Sequence, residues 1–164
     1  MKLRYIQRFH LLLIEKNNIY SLLELIDDVC LKIFVEWNGE GHRFTGHNPE
    51  GPTVAIDGDR QAGTSPMVLL LHAEAGCTGI DVLDLLEKMR QPVTGLKIEV
   101  TGEKGEGDFP RIWETIHVKY IISGAVEAEK AMKAVNLSLE KYCSVSAMLG
   151  KAASVTHEVE LLGE

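Results

Sequence analysis

The chain has 164 residues, of which 45% are hydrophobic and 25% charged, a composition typical of one globular domain and too short for two of ordinary size. Its formal net charge of −7 and its singly scattered lysines and arginines argue against a nucleic-acid groove, which needs clustered cations. No run approaches the roughly 18 uncharged apolar residues of a membrane-spanning helix, so we expect a cytosolic protein that does not enter a membrane.

The chain has three cysteines, Cys30, Cys77 and Cys143. A structural disulfide framework is not expected in a reducing compartment, whereas a catalytic or redox pair with one bystander stays open. Cys30 falls in a strand-like alternation and is most simply a core residue. The short apolar run near the N-terminus is followed at once by Glu15 and Lys16, so no secretory signal peptide is predicted.

Residues 1–28 differ from the rest, because they contain no Gly or Pro and show only weak helical spacing. An extra helix, a swapped arm and a leader sequence all fit, and a peripheral helix without a catalytic role is favoured. The sequence therefore divides into an N-terminal extension, 1–28, and a main domain, 29–164.

From Val29 an alternation with a period of two predicts strands at 29–37, 42–46 and 53–58, as a three-stranded antiparallel start. A helix is expected to begin at Pro66, which suits the first helical position. Gly76 indicates a break between a short apolar helix and a second helix that Pro92 stops. An unbroken helix is the alternative.

The clearest strands are those at 94–103 and 111–123, joined by a hairpin loop. A helical region, 125–151, follows in two pieces that meet near 136–138, and a strand at 154–162 closes the chain. The order βββ-αα-ββ-α-β predicts an α+β fold whose strands pair locally.

Metal and nucleotide sites are not predicted. The six histidines and three cysteines contain no CxxC or HxxxH pair, and a solvated loop explains His42 and His47. The glycines in GEKGEGDFP join two strands instead of opening a helix, so a flexible hairpin is the better interpretation. No cofactor is implied.

Pattern alone favours packing for two of the cysteines. Cys143 lies on a helical stretch rich in core-type residues, where free cysteine is often a buried small hydrophobe. Cys77 would gain thiolate character if the helix broke at Gly76, because the unpaired N–H groups of a first turn favour an anion. Asp81, one turn along, would oppose that charge.

The stretches TSPMVLLLHAEAGCTGIDVLDLL, VKYIISG and VNLSLEKYCSVSAML together resemble the OsmC/Ohr family of thiol-dependent hydroperoxide reductases, and most of all its YhfA-like branch. The resemblance covers roughly residues 30–161. Two cysteine motifs 66 residues apart are quite specific as a pair, whereas either alone is weak.

The resemblance implies antiparallel sheets wrapped around long central helices in an intertwined homodimer. It implies that Cys77 attacks the peroxide and that Cys143 resolves the sulfenic acid to a disulfide. A dithiol reductant of lipoyl or thioredoxin type would then restore both thiols.

The sequence departs from the family pattern at Met67, which occupies the place of a glutamate that would hold an arginine over the thiolate. Arg43, with Arg60 behind it, is the candidate stabiliser of the thiolate, although no motif identifies either one. Glu74, three residues before Cys77, is either a substitute acid or, more simply, an exposed helix carboxylate.

The resemblance therefore implies a homodimer, expected in the cytoplasm, that reduces organic hydroperoxides or peroxide through Cys77 and Cys143 in oxidative stress defence. A redox-sensing or small-ligand-binding protein with little turnover is the alternative, and a structural dimer with packed cysteines is a third.

Overall fold

The structure is a computed structural model that describes residues 32–49 and 51–163. The chain divides into two compact units, Met1–Gly63 and Thr64–Glu164. The extension expected at 1–28 and the core position expected for Cys30 lie outside the described residues, so both stay predictions.

The N-terminal unit contains an antiparallel sheet of three strands in sequential order, β1 (Phe34–Trp37), β2 (Arg43–His47) and β3 (Val54–Asp57). The predicted three-stranded start is confirmed. After β3 the buried Asp57 carboxylate accepts backbone N–H groups from Asp59, Gln61 and Ala62 at 2.8–3.0 Å. These bonds, first among them the one from Ala62, lower the pKa of Asp57 and hold the loop that leaves the sheet.

The C-terminal unit begins with helix α1 (Pro66–Lys88), which runs unbroken through Gly76. The break expected at Gly76 is therefore wrong. A glycine inside a helix costs about 1 kcal/mol relative to alanine. The buried face of α1 continues past it at three- and four-residue steps, so packing offsets that cost; its members are Leu71, Glu74, Thr78, Val82 and Leu86.

Among the described residues, α1 is the one helix long and apolar enough to cross a membrane by length and composition alone, a test that core helices also pass. Its inner face packs against the C-terminal sheet and the later helices. Its outer face exposes apolar side chains, with Leu70, Ile80 and Leu83 at 40%, 66% and 44% exposure.

The C-terminal sheet has the order β4 (Val93–Lys104), β5 (Trp113–Gly124) and β6 (Ser154–Leu162). β4 and β5 form the predicted antiparallel hairpin, but β6 pairs with β5 in parallel. The expectation of purely local pairing is wrong for β6, because the intervening helical region is long enough to carry the chain back alongside β5. β5 is thus central, and its inward side chains are fully buried: Ile116, Val118, Tyr120 and Ile122.

The crossover consists of α2 (Ala128–Leu137), a π-helical turn (Ser138–Tyr142) and α3 (Ser144–Leu149). The predicted interruption of this region is confirmed. The turn is closed by the Cys143 N–H, which donates to the Ser138 carbonyl five residues earlier at 2.8 Å. With two sheets and the helices between strands, the fold is α+β, as predicted.

Gly76→Ala is expected to stabilise the protein, because α1 continues through this position and an added Cβ meets nothing within 4 Å. The expected gain in the free energy of unfolding is about 0.5–1 kcal/mol, measured by urea denaturation. Gly124→Ala is the contrast and should destabilise, because Gly124 has φ +116° and its Cβ would strike the Pro92 carbonyl. At a protein concentration low enough to keep the chain monomeric, a loss of stability in Gly76→Ala would contradict an uninterrupted helix that is open at this position.

Candidate active site

Two thiols from distant parts of the C-terminal unit meet at one place. The Sγ atoms of Cys77 and Cys143 and a carboxylate oxygen of Asp81 all lie within 4.8 Å of one another. Both cysteines are free thiols. A disulfide bond of about 2.05 Å therefore requires the two sulfurs to close by less than about 3 Å, a displacement that rotation of the side chains can supply.

Cys77 lies beside the buried face of α1 and is partly buried. Because α1 is continuous from Pro66, Cys77 is in mid-helix and gains nothing from the N–H groups of a first turn. The helix-end activation considered for this thiol is therefore absent.

Cys143 is held immediately after the π-helical turn and is only 3% exposed, so its expected burial is confirmed. Its backbone is extended, and its Sγ accepts the Ser146 N–H at 3.3 Å as the cap of α3. Burial raises the pKa of the Cys143 thiol, and the neighbouring Cys77 raises it further. Both effects favour the protonated form of the Cys143 thiol.

Glu74 is fully buried, so its expected place as an exposed helix carboxylate is wrong. The Ser146 hydroxyl donates to Glu74 Oε1 at 2.6 Å, and Oε2 has no hydrogen-bond partner among the described residues. Burial raises the pKa of Glu74, and the bond from Ser146 opposes that rise. Ser146 thus connects the buried acid to Cys143, through its hydroxyl on one side and its backbone N–H on the other.

Asp81 lies one helical turn after Cys77 and is also held in place. Its Oδ2 accepts a hydrogen bond from the Ser138 hydroxyl at 3.0 Å. Sequence reasoning missed Ser138 and Ser146 as site residues, because they pair across 57 and 72 positions and no local spacing signals them.

Tyr120 on β5 forms part of the buried surroundings of this cluster. Burial raises its pKa to about 12, and nearby Glu74, Cys143 and Asp81 contribute to the rise. Its hydroxyl therefore stays protonated at neutral pH and supplies no base.

The candidate arginines belong to the N-terminal unit. Arg43, on β2, donates to Glu40 Oε2 at 3.3 Å, and its Nε lies 3.9 Å from Asp57 Oδ2. Arg60 has φ +58° in the loop that Asp57 organises. The role of either one at the thiolate stays a prediction.

Met67, at the place of the family glutamate, accepts a hydrogen bond from Trp113 Nε1 through its backbone carbonyl at 3.1 Å. A thioether side chain is a weak acceptor without charge, so it cannot hold an arginine as a carboxylate does.

The sequence profile of the family described as "OsmC-like protein" matches residues 57–158, a span that contains Cys77, Asp81 and Cys143. Protein YhfA of Escherichia coli (strain K12) is 38% identical over 130 residues, which are 78% of this chain and 96% of that protein.

Solved structures show the same fold. A hypothetical protein from Aquifex aeolicus VF5 is 34% identical, with a TM-score of 0.71 over 81% of this chain and 98% of that one. The organic hydroperoxide resistance protein OhrB of Bacillus subtilis is 19% identical, with a TM-score of 0.56 over 80% of this chain and 98% of that one, a likeness that shows the fold alone. Because the profile covers most of the C-terminal unit and YhfA matches over nearly its whole length, the chain belongs to the OsmC-like family, on its YhfA-like branch.

Proposed function

We propose that this chain is a thiol-dependent peroxidase that reduces organic hydroperoxides or peroxide through Cys77 and Cys143, in defence against oxidative stress. The observation that carries the proposal is the pair of free thiols whose sulfurs lie within 4.8 Å, brought together from α1 and the π-helical turn. The substrate class is suggested by fold neighbours named for hydroperoxide resistance.

The different burial of the two thiols supports their different roles. Cys77 is the more accessible, so its thiolate attacks the peroxide O–O bond, becomes a sulfenic acid, and releases the alkoxide, which takes up a proton. Cys143, buried and protonated, then attacks the sulfenic sulfur. The S–S bond forms as hydroxide leaves, and the Cys143 proton converts it to water.

Regeneration requires two electrons from outside the chain. A dithiol reductant, of lipoyl or thioredoxin type, attacks the disulfide, releases both thiols and leaves as its own disulfide. We propose Arg43 as the cation that favours the charge of the thiolate, with Arg60 as the second candidate.

Glu74 and Ser146 form the support of the resolving thiol. The neutral form of Glu74 is favoured by burial, and its bond with Ser146 fixes the residue whose N–H points at Cys143 Sγ. This pair provides a buried acid next to the thiols in a chain that has Met67 in place of the family glutamate.

We further propose that the protein acts as a cytoplasmic homodimer. The exposed apolar side chains of α1 support the association, because an apolar helix face is stabilised when a second surface covers it. No nucleic-acid or membrane partner is proposed.

A redox sensor or small-ligand-binding protein with little turnover is the second candidate. It is favoured by Met67, which removes the carboxylate that would hold an arginine, and by the raised pKa of Cys143, which slows the resolving step. The two candidates share the thiol pair and differ in turnover.

Peroxidase activity is expected to depend on both thiols. With cumene hydroperoxide and dihydrolipoamide in stopped flow, Cys77→Ser should abolish turnover, a loss of at least about 10³-fold, because the attacking atom is removed. Without the dithiol, Cys143→Ser should consume about one peroxide per chain, leaving a sulfenic acid that dimedone traps.

A Cys30→Ser variant serves as the matched thiol control and should retain the turnover of the parent. Disulfide formation without turnover would establish the sensor in place of the enzyme. Failure of both Cys77 and Cys143 to react with peroxide would rule out the peroxidase and the redox sensor.

Glu74→Gln is expected to change the pH dependence of stability. Because the pKa of Glu74 is raised above its ordinary value of 4.5 in the folded state, the folded chain binds more protons than the unfolded one. Its contribution to the free energy of unfolding is complete below pH 4.5 and declines as pH rises through the folded-state pKa. Urea titrations from acid to alkaline pH should show that the decline is absent in Glu74→Gln and preserved in the exposed control Glu87→Gln.

Dimer formation is expected to depend on the outer face of α1. Ile80→Glu should weaken association by about tenfold or more, because it places a charge at the most exposed apolar side chain of the helix. Sedimentation velocity measures the shift toward monomer. Lys88→Glu, at the exposed end of α1, should leave the dimer intact, and an unchanged Ile80→Glu dimer would place the interface elsewhere.

A further inference from the structure

The Cys77, Asp81 and Cys143 cluster has the composition of a metal site as well as of a redox pair. Each residue offers one ligand atom, and the three atoms lie within 4.8 Å of one another. We propose that, in the reduced protein, these three side chains bind a borderline divalent cation of the Zn²⁺ class. The proposal does not depend on peroxide turnover.

The ligand set matches this class of ion. Two thiolates and one carboxylate favour Zn²⁺ and similar ions over Mg²⁺ or Ca²⁺, which prefer oxygen ligands alone. With Zn–S near 2.3 Å and Zn–O near 2.0–2.2 Å, tetrahedral ligand atoms lie about 3.3–3.8 Å apart. The ligand atoms therefore need to draw together by no more than about 1.5 Å, which side-chain rotation supplies.

The chain presents these ligands in a partly ordered arrangement. Cys77 and Asp81 are four residues apart on α1, the spacing by which helical metal motifs place two ligands on one face. Asp81 is oriented by Ser138 through Oδ2, and Cys143 by the Ser146 N–H. Such supporting bonds commonly tune metal affinity about 10–100-fold.

Three protein ligands leave the fourth tetrahedral position to water or to another small ligand, as in open zinc sites. Each thiol gives up its proton on binding, so about two protons are released for every ion and no electrons move. Disulfide formation removes both sulfur ligands. Metal binding and oxidation of the pair are therefore mutually exclusive, and a bound ion shields both thiols.

The expectation of no metal rested on the absence of CxxC and HxxxH pairs. It did not include a cysteine–aspartate pair at four residues, nor a third ligand that the fold brings from 66 positions away. The cluster emerges only when α1 packs beside the π-helical turn.

The test uses the reduced, untagged full chain carrying Cys30→Ser, so that only two thiols are present. Co²⁺ titration should give near-ultraviolet thiolate-to-cobalt absorption and the visible bands of a tetrahedral ion, saturating at one ion per chain. Zn²⁺ should displace Co²⁺ and protect both thiols from alkylation by iodoacetamide. Diamide, which forms the disulfide, should abolish binding.

Variants separate the three-ligand site from adventitious thiol binding. Asp81→Asn should weaken Zn²⁺ binding by at least about tenfold in competition with a chromophoric chelator. Asp84→Asn, exposed on the same helix, should bind as the parent does. Equal affinity in Asp81→Asn and Asp84→Asn, or thiolate–cobalt absorption that survives in Cys77→Ser and in Cys143→Ser, would overturn the proposal. If the parent protein binds the metal but shows no peroxidase turnover, the result counts against the proposed enzyme and leaves the metal site standing.

Discussion

The site depends on one packing constraint, the contact between the inner face of α1 and the segment around the π-helical turn. The same stripe that buries Leu71, Val82 and Leu86 in the core also carries Glu74, and Cys77 and Asp81 flank it. The turn places Cys143 opposite them by bonding its N–H to the Ser138 carbonyl. Hydrophobic burial therefore determines the positions of the polar groups, and the thiols meet because the helices pack.

The polar groups carry a cost that the hydrophobic core has to offset. Oε2 of Glu74 has no partner within the described part of the chain, and a buried carboxyl with an unpaired oxygen is destabilising unless it stays neutral. Burial raises the pKa of Glu74 and so favours that neutral form. The short bond from Ser146 recovers part of that cost. A buried acid that adds nothing to the hydrophobic core is typical of a functional site. Here Ser146 contacts both Glu74 and Cys143, and so links the acid to the thiol.

The strands were predicted within about two residues wherever alternation was clear, as in β4, β5 and β6, because period-two burial is local information. The parallel pairing of β6 with β5 was not predicted, since it depends on where the long crossover returns the chain to the sheet. The break predicted at Gly76 was wrong because glycine in a helix costs about 1 kcal/mol, which is less than the stabilisation from packing the buried face of α1. Glu74 was predicted to be exposed for a related reason. A single carboxylate among apolar residues of helical spacing is either exposed or buried at a cost in free energy. Only the tertiary contact with Ser146 distinguishes the two.

The cysteines show what patterns cannot supply. Taken singly, Cys77 and Cys143 are indistinguishable from small core residues, and the pair was predicted only through the family resemblance of both motifs together. The resemblance implied an arginine at the thiolate but no motif that identifies it, so Arg43 was only a candidate. Its contacts with Glu40 and Asp57 are those of a local ion-paired residue in the N-terminal unit.

Whether the pair acts as a redox couple or as a metal ligand set depends on how far its atoms close. A disulfide needs the two sulfurs about 2.05 Å apart and does not involve Asp81. A tetrahedral ion holds the sulfurs about 3.8 Å apart and uses the carboxylate as a ligand. The structure presents them within 4.8 Å, with Asp81 turned into the cluster by Ser138. A bound cation would offset the repulsion among two thiolates and a carboxylate, so the carboxylate has a role in the metal-bound form. Asp81 is therefore the residue that distinguishes the two uses of the pair, because only the metal-bound form needs its carboxylate.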